Sequence, residues 1–232
     1  MNPEDRRDAI GGDNLQPSLD ELTQACDAII AGWVRSLELR DREPKEHGER
    51  LVQITFRIAR MMGIGEAELP HVRRGAMLHD IGKMGMPDGI LMKPTTLTEA
   101  EWGIMRQHPV IAFELLSPIE FLRPALDIPY CHHEKWDGSG YPRGLHKKQI
   151  PLAARIFALG DVYDMLNSDR PYRPAWPKDR AQDYLREQSG KHFDPEVVDM
   201  FFLSIVREET GESTTGDPDQ GQIQNANPFH RF

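Results

Sequence analysis

The chain has 232 residues, with 28 Lys and Arg against 37 Asp and Glu, for a formal net charge of −9. This acidic balance argues against a surface that binds nucleic-acid polymers, but it does not exclude an anionic substrate beside a bound cation. No apolar run approaches the roughly 18 residues that a membrane span needs, and the N-terminus lacks a signal-peptide pattern. We therefore expect a cytoplasmic protein without a membrane partner.

The chain divides into three segments. Residues 1–17 are polar and predict a flexible lead-in, 18–208 predict one folded domain, and 209–232 predict a disordered tail. The domain opens with Ser18-Leu-Asp-Glu21, a capping box that predicts a helix to about Arg40. Apolar residues follow helical spacing along it, namely Leu22, Ala25 or Cys26, Ile29, Trp33 and Leu37. This helix could pack on the domain or form the seam of a homodimer, and the sequence leaves both options open.

The remaining pattern is helical throughout. A second helix is predicted from Pro44 to Gly63, and a third over about residues 66–79. Residues 86–97 look irregular, and Thr98 with Glu101 forms a second capping box. Further helices are predicted over 110–117, 122–134, 152–166, 178–189 and 195–208, with a Gly- and Pro-rich loop over 137–151. With no period-two pattern, the prediction is an all-α bundle of roughly eight helices.

Histidine and aspartate residues cluster at the ends of apolar helices. His79-Asp80 ends one predicted helix, His132-His133 ends another, and Asp161 lies within a third. An aspartate is costly to bury unless it is paired or binds a metal. Imidazole and carboxylate without thiolate suit iron, manganese or zinc at a hydrolytic centre. Neighbouring helical residues point about 100° apart, so a His-Asp dipeptide can serve two metals or bridge them. Each pair alone is weak evidence, because such dipeptides also occur by chance on solvated helix ends.

Two motifs carry a family resemblance. LHDIGK at 78–83 resembles the HD superfamily of metal-dependent phosphohydrolases. HHEKWDGSGYP at 132–142 resembles the signature of its HD-GYP branch, bacterial phosphodiesterases that hydrolyse cyclic di-GMP. The resemblance covers about residues 19–208 and continues through PDGILMKP (87–94), RGL (143–145), IPLAARI (150–156), SDRPYR (168–173) and HFDP (192–195). It implies an HD-type helical bundle with a GYP loop.

The resemblance also implies a set of metal ligands. They fall on His47, His79, Asp80, His108, His132, His133 and Asp161. Glu43 matches a position at which some members bind a third metal, although it could instead be a helix N-cap or a solvated residue before Pro44. We therefore expect two or three divalent metal ions, iron in the first place, with manganese or another transition metal as alternatives.

Residues for catalysis and substrate binding follow from the same motifs. Lys83 matches a residue at the metal–phosphate centre and joins Asp80 as a predicted catalytic residue. Tyr141, Arg170 and Arg173 match positions that contact the dinucleotide. The arginine fork donates paired hydrogen bonds to phosphate, although both arginines could instead be surface residues in ion pairs.

The implied reaction is hydrolysis of cyclic di-GMP to pGpG, with GMP as a further product, by attack of a metal-bridging hydroxide. One alternative is a weakly active or inactive cyclic di-GMP sensor or scaffold that acts through its GYP loop. A nucleotidase is disfavoured by the GYP block, and cyclic GMP-AMP as substrate is not separable from cyclic di-GMP by any residue. Diguanylate cyclase (GGDEF) domains are implied partners of the GYP loop.

Overall fold

A computed structural model describes residues 17–41, 46–169 and 174–210. Within these ranges the chain forms ten α-helices and three short 3-10 helices, and no β-strand. The α-helices are α1 (Leu19–Asp41), α2 (Glu46–Met61), α3 (Leu69–Leu78), α4 (Asp88–Leu91), α5 (Glu99–Met105), α6 (His108–Leu116), α7 (Asp127–Cys131), α8 (Leu152–Asn167), α9 (Lys178–Glu187) and α10 (Pro195–Thr210). The predicted all-α class is confirmed. None of the described helices combines the length and the apolar character that crossing a bilayer requires.

Both predicted capping boxes form. The Ser18 N–H donates to the Glu21 carboxylate at 2.7 Å, and the Glu21 N–H donates to the Ser18 hydroxyl at 3.2 Å. Thr98 and Glu101 make the same reciprocal pair at the start of α5. Because these side chains satisfy backbone N–H groups that have no partner inside the helix, they fix where α1 and α5 begin.

Two local predictions are wrong. Residues 122–134 do not form one helix, since a 3-10 helix over Glu120–Ala125 precedes the short α7. Pro124 and Pro129 explain the break, because proline lacks the backbone N–H that an α-helix needs and clashes with the preceding turn. Residues 86–97 are not wholly irregular either: α4 is a single turn that starts directly after Pro87.

Helix α8 packs against α2, α7 and α9 in the core. Gly160 lets α8 approach α2 closely, because a Cβ there would lie 3.1 Å from the side chain of Ile54. Around this contact, Ile58, Leu159 and Leu185 are fully buried. Burial of each such side chain contributes about 1.5–3 kcal/mol, which stabilises the arrangement of α2, α8 and α9.

Helix α1 packs on the domain through a face that only partly coincides with its predicted apolar stripe. Ile30 and Leu37 are buried, 3% and 7% exposed respectively. Ile29 and Trp33 remain 55% and 39% exposed. Of the stripe that the sequence singled out, Leu22, Ile29 and Trp33 therefore point away from the domain, whereas Leu37 packs on it.

Candidate metal centre

The structure brings all seven predicted ligands that it describes into two adjacent groups. In each group the candidate ligand atoms lie within 4.8 Å of one another. The first group is Asp80, His108, His132 and His133, and the second is His47, His79 and Asp161. Glu43, Arg170 and Arg173 lie outside the described residues, so their predicted roles stay predictions.

Helix ends position these side chains. They come from the first turn of α2 (His47), the end of α3 (His79, Asp80), the start of α6 (His108), the end of α7 (His132, His133) and the middle of α8 (Asp161). Gly82 is essential to this convergence, because a Cβ there would lie 1.9 Å from the His108 carbonyl oxygen. Only glycine lets the Ile81–Gly85 turn approach α6 closely enough to place Asp80 beside His108.

Three histidines are oriented by the backbone. Nδ1 of His79 and of His108 lies 2.8 Å from the carbonyl oxygen three residues earlier, and Nδ1 of His132 lies 3.0 Å from the one four residues earlier. A carbonyl oxygen only accepts, so Nδ1 carries the proton and donates. Nε2 of each ring is then left with a lone pair that points into the site. Metal-binding histidines are held in this way.

The fourth oriented histidine is held by a carboxylate. Nδ1 of His47 donates to Asp164 Oδ2 at 2.7 Å, and Arg50 Nε donates to Asp164 Oδ1 at 2.5 Å. Burial raises the pKa of Asp164, but the hydrogen bonds from His47 and Arg50 outweigh it and lower the pKa to about 2. Asp164 was not predicted as a site residue. Its spacing of one helical turn after Asp161 is the signal that could have found it.

Two lone pairs face each other at the centre of the first group. Nε2 of His108 and Nε2 of His132 are 3.4 Å apart. Burial lowers the pKa of His108, and burial together with the neighbouring His133 holds that of His132 well below its usual value. Neither ring is therefore protonated at neutral pH, and the two lone pairs repel unless a cation lies between them. Two ligands of one metal ion sit about 3.0–3.4 Å apart, so this donor set fits a divalent metal.

Asp80 reaches both groups. Its Oδ2 lies 3.2 Å from His79 Nε2, and its Oδ1 lies 3.3 Å from His108 Nε2. Burial raises the pKa of Asp80, but the Lys83 ammonium, 2.7 Å away, contributes most to holding the pKa well below its usual value. The carboxylate is therefore ionised, and because it has an oxygen beside a histidine of each group, it could serve as a ligand in both.

Lys83 stands between two carboxylates. Its Nζ lies 2.7 Å from Asp80 Oδ2 and 2.8 Å from Asp41 Oδ2. Asp41 is the last residue of α1, and the preceding Arg40 donates to the Met86 carbonyl at 2.6 Å. The end of α1 therefore fixes the turn that carries Lys83. Neither Asp41 nor Arg40 was predicted, because they lie more than 40 residues from the turn and belong to no motif used above.

The GYP loop packs its tyrosine on the site. The Tyr141 ring stacks on His133 with centroids 4.7 Å apart and planes at 26°. Burial raises the pKa of the Tyr141 phenol, which stays neutral. Buried Glu134 accepts from backbone N–H groups nine and eleven residues later, at 2.8 and 3.0 Å, and so fixes the loop. Glycine is required at position 140 for this packing, because a Cβ there would lie 2.3 Å from the backbone nitrogen of Lys135.

Comparison with known proteins places the chain in a family. The family model described as the HD domain matches residues 34–197. A cyclic di-GMP phosphodiesterase response regulator of Xanthomonas campestris, RpfG, is 41% identical over 187 residues, which are 80% of this chain and 50% of that protein. A 3'3'-cGAMP-specific phosphodiesterase of Vibrio cholerae is 36% identical over 182 residues, 78% of this chain and 35% of that protein. The chain thus spans half or less of the length of these curated relatives.

A solved structure shares the fold. The cyclic GMP-AMP specific phosphodiesterase V-cGAP3 of Vibrio cholerae superposes with a TM-score of 0.61 at 16% identity, over 85% of this chain and 52% of that one. At this identity the likeness concerns the fold alone. The family model and the curated relatives show that the chain belongs to the HD-domain family, and its resemblance to the HD-GYP branch is confirmed.

Proposed function

We propose that this chain is a metal-dependent phosphodiesterase that hydrolyses cyclic di-GMP to pGpG, with GMP as a further product. The observation that carries the proposal is the pair of unprotonated Nε2 atoms of His108 and His132, 3.4 Å apart beside the Asp80 carboxylate. The X. campestris relative, 41% identical, is named a cyclic di-GMP phosphodiesterase and supports the choice of substrate.

The proposed cofactors are two divalent metal ions, one for each ligand group, and a third if Glu43 is a ligand. Nitrogen and oxygen donors without thiolate suit iron, with manganese or another transition metal as alternatives. A bound divalent metal lowers the pKa of water towards about 7 and neutralises phosphate charge.

The protein residues supply preorganisation. Because backbone carbonyls and Asp164 hold four histidine rings, their Nε2 atoms need no reorientation when a ligand arrives. The Lys83 ammonium, held beside Asp80, is placed to stabilise the charge of the phosphodiester or to donate a proton to the departing 3′ oxygen. Tyr141 offers an aromatic face next to His133 for positioning the nucleotide. From the resemblance, Arg170 and Arg173 bind phosphate oxygens.

The direct test is Asp80→Ala, with hydrolysis of cyclic di-GMP followed by chromatography. Loss of the bridging carboxylate should lower turnover at least about a thousandfold. A matched control is Asp183→Ala, since Asp183 is 69% exposed on α9 and belongs to neither ligand group. Turnover of the Asp80 variant at the wild-type rate would contradict the proposal. Tight binding of cyclic di-GMP by the wild type without turnover would support the sensor alternative instead.

Cyclic GMP-AMP remains a second candidate substrate. It is favoured by the V. cholerae relative that is named 3'3'-cGAMP-specific, at 36% identity. We expect cyclic di-GMP to give the higher kcat/KM when both substrates are assayed with the same metal-loaded protein. A preference for 3'3'-cGAMP of tenfold or more would reverse the assignment.

Two protein partners are also proposed. The loop over 137–151 exposes Asp137 and Ser139 and is held rigidly by Glu134, which suits a preformed surface for a GGDEF domain. Calorimetric titration with a GGDEF domain, repeated with Ser139→Arg, tests this contact, and equal affinity of the two forms would contradict it.

The second proposed partner is another copy of the chain. The cytoplasmic location expected from the sequence stays a prediction.

A further inference from the structure

Helix α1 carries an apolar stripe that faces away from its own domain. Leu19, Leu22, Ile29 and Trp33 are 79%, 49%, 55% and 39% exposed. Between Glu21 and Arg35 the sole charged residue is Asp27, which is paired with Arg74 at 2.7 Å. A contiguous apolar surface of this kind on a helix marks an interaction site.

The stripe has the spacing of a coiled-coil seam. Residues 19, 22, 26, 29 and 33 recur at alternating intervals of three and four, as positions a and d of a heptad do. The residues that pack on the domain, Asp27, Ile30, Val34 and Leu37, are centred on a neighbouring face of the helix. At about 100° per residue, the two faces are separated by roughly a right angle. One helix thus has two separate apolar faces.

A second copy of α1 is the occupant that this stripe fits. Residues 1–16 contain three large apolar side chains, Met1, Ile10 and Leu15, and none are at heptad spacing. Residues 211–232 contain Ile223, Phe229 and Phe232, which do not continue the alternation of three and four beyond the single interval between Phe229 and Phe232. The stripe exposes on the order of 500 Å² per copy, so pairing two copies buries about 1,000 Å², the lower limit for a specific interface.

We propose that the chain forms a parallel homodimer in which α1 of each copy packs along this stripe. The orientation follows from the right angle between the stripe and the domain face. A two-fold axis along the helices puts the two domains on opposite sides of the helix pair, whereas an antiparallel pair puts both on the same side. In the parallel register Cys26, Ile29 and Trp33 each meet the same residue of the second copy.

The interface is continuous with the helix that reaches the metal centre. At the other end of α1, Arg40 and Asp41 contact the turn that carries Lys83. The dimer does not depend on the proposed activity, because the exposed stripe and its spacing define it. Its failure would therefore leave the phosphodiesterase proposal intact.

The first test is the mass of the full chain by light scattering. We expect twice the chain mass of 26.5 kDa. Ile29→Arg should raise the dimer Kd by tenfold or more, because it places a charge in the centre of the seam. Ala31→Arg is the matched control, since Ala31 is exposed on the opposite face of α1 and should leave the mass unchanged. A wild-type monomer at about 100 µM, or an Ile29→Arg dimer of wild-type affinity, would overturn the proposal.

The second test determines whether the two α1 helices of the dimer are parallel. Equivalent a positions of a parallel pair lie about 6 Å apart between Cα atoms, which suits a disulfide. Mild oxidation should therefore produce a covalent dimer that Cys26→Ser abolishes. Cys131 cannot replace it, because it is buried and burial raises the pKa of its thiol to about 12. A stable dimer that oxidation never cross-links through Cys26 would exclude the parallel register.

Discussion

Replacing Asp164 with Asn tests how the His47 group is held. Asp164 accepts the Nδ1 proton of His47 at 2.7 Å with one oxygen and binds Arg50 at 2.5 Å with the other. The substitution keeps the size of the side chain but removes its charge. His47 then becomes a weaker electron donor at Nε2, and its ring is no longer fixed by a charge-assisted hydrogen bond.

The expected magnitude follows from that hydrogen bond. Bonds to charged groups contribute about 1.5–3 kcal/mol, and 1.4 kcal/mol corresponds to a tenfold change in affinity. We therefore expect Asp164→Asn to weaken one metal site by 10–100-fold. Asp164 holds no residue of the Asp80, His108, His132 and His133 group in the hydrogen bonds described above, so the site of that group should keep its affinity.

The assay is competition for Mn²⁺ against a fluorescent chelator, with both sites resolved by stoichiometry. Arg50→Gln is a useful comparison, since it leaves the Asp164 carboxylate on His47 and should change affinity by less than about threefold. Circular dichroism checks that both variants remain helical. Affinities of Asp164→Asn within twofold of wild type at both sites would refute the assigned role of this hydrogen bond.

Three further predictions concern other contacts. Asp41→Asn should lower kcat about tenfold at unchanged metal content, because Lys83 loses one of its two positioning carboxylates; an unchanged kcat would count against that role. Tyr141→Phe should raise KM less than threefold and Tyr141→Ala about tenfold, because only the latter removes the ring that stacks on His133; equal KM values in both would contradict this. Burial lowers the pKa of His192 to about 4, so the unfolded chain binds a proton between pH 6.5 and 4 that the folded chain does not. As the pH is lowered from 6.5 to 4, the unfolding free energy of the metal-free protein should therefore fall by on the order of 2 kcal/mol more than that of His192→Gln. Denaturant titrations at several pH values would measure this difference.

Local features of the fold could be predicted from the sequence. The two capping boxes mark the starts of α1 and α5 because the interaction spans only three residues. The division of residues 122–134 could in principle have been anticipated from Pro124 and Pro129, whose effect on a helix is also local. The face of α1 that packs on the domain could not, since both of its faces are apolar and only tertiary contacts choose between them.

The candidate site shows the same division between local and distant information. The motifs predict the candidate ligands, but not how they divide into two groups. Asp164 lies 117 residues from His47 and Asp41 lies 42 from Lys83, so neither contact follows from spacing within a motif. The helical spacing after Asp161 could have marked Asp164 as a candidate, but its partner His47, and the contact of Asp41 with Lys83, become visible only when the core brings distant helices together.

The most direct test is metal analysis of anaerobically purified protein alongside turnover of cyclic di-GMP. The two ligand groups predict at least two metal ions per chain, with activity proportional to occupancy and lost on chelation. His132→Ala should lose metal from the first group and activity together. Full hydrolysis of cyclic di-GMP by chelated protein, or one ion or fewer per chain in fully active protein, would contradict a dinuclear centre.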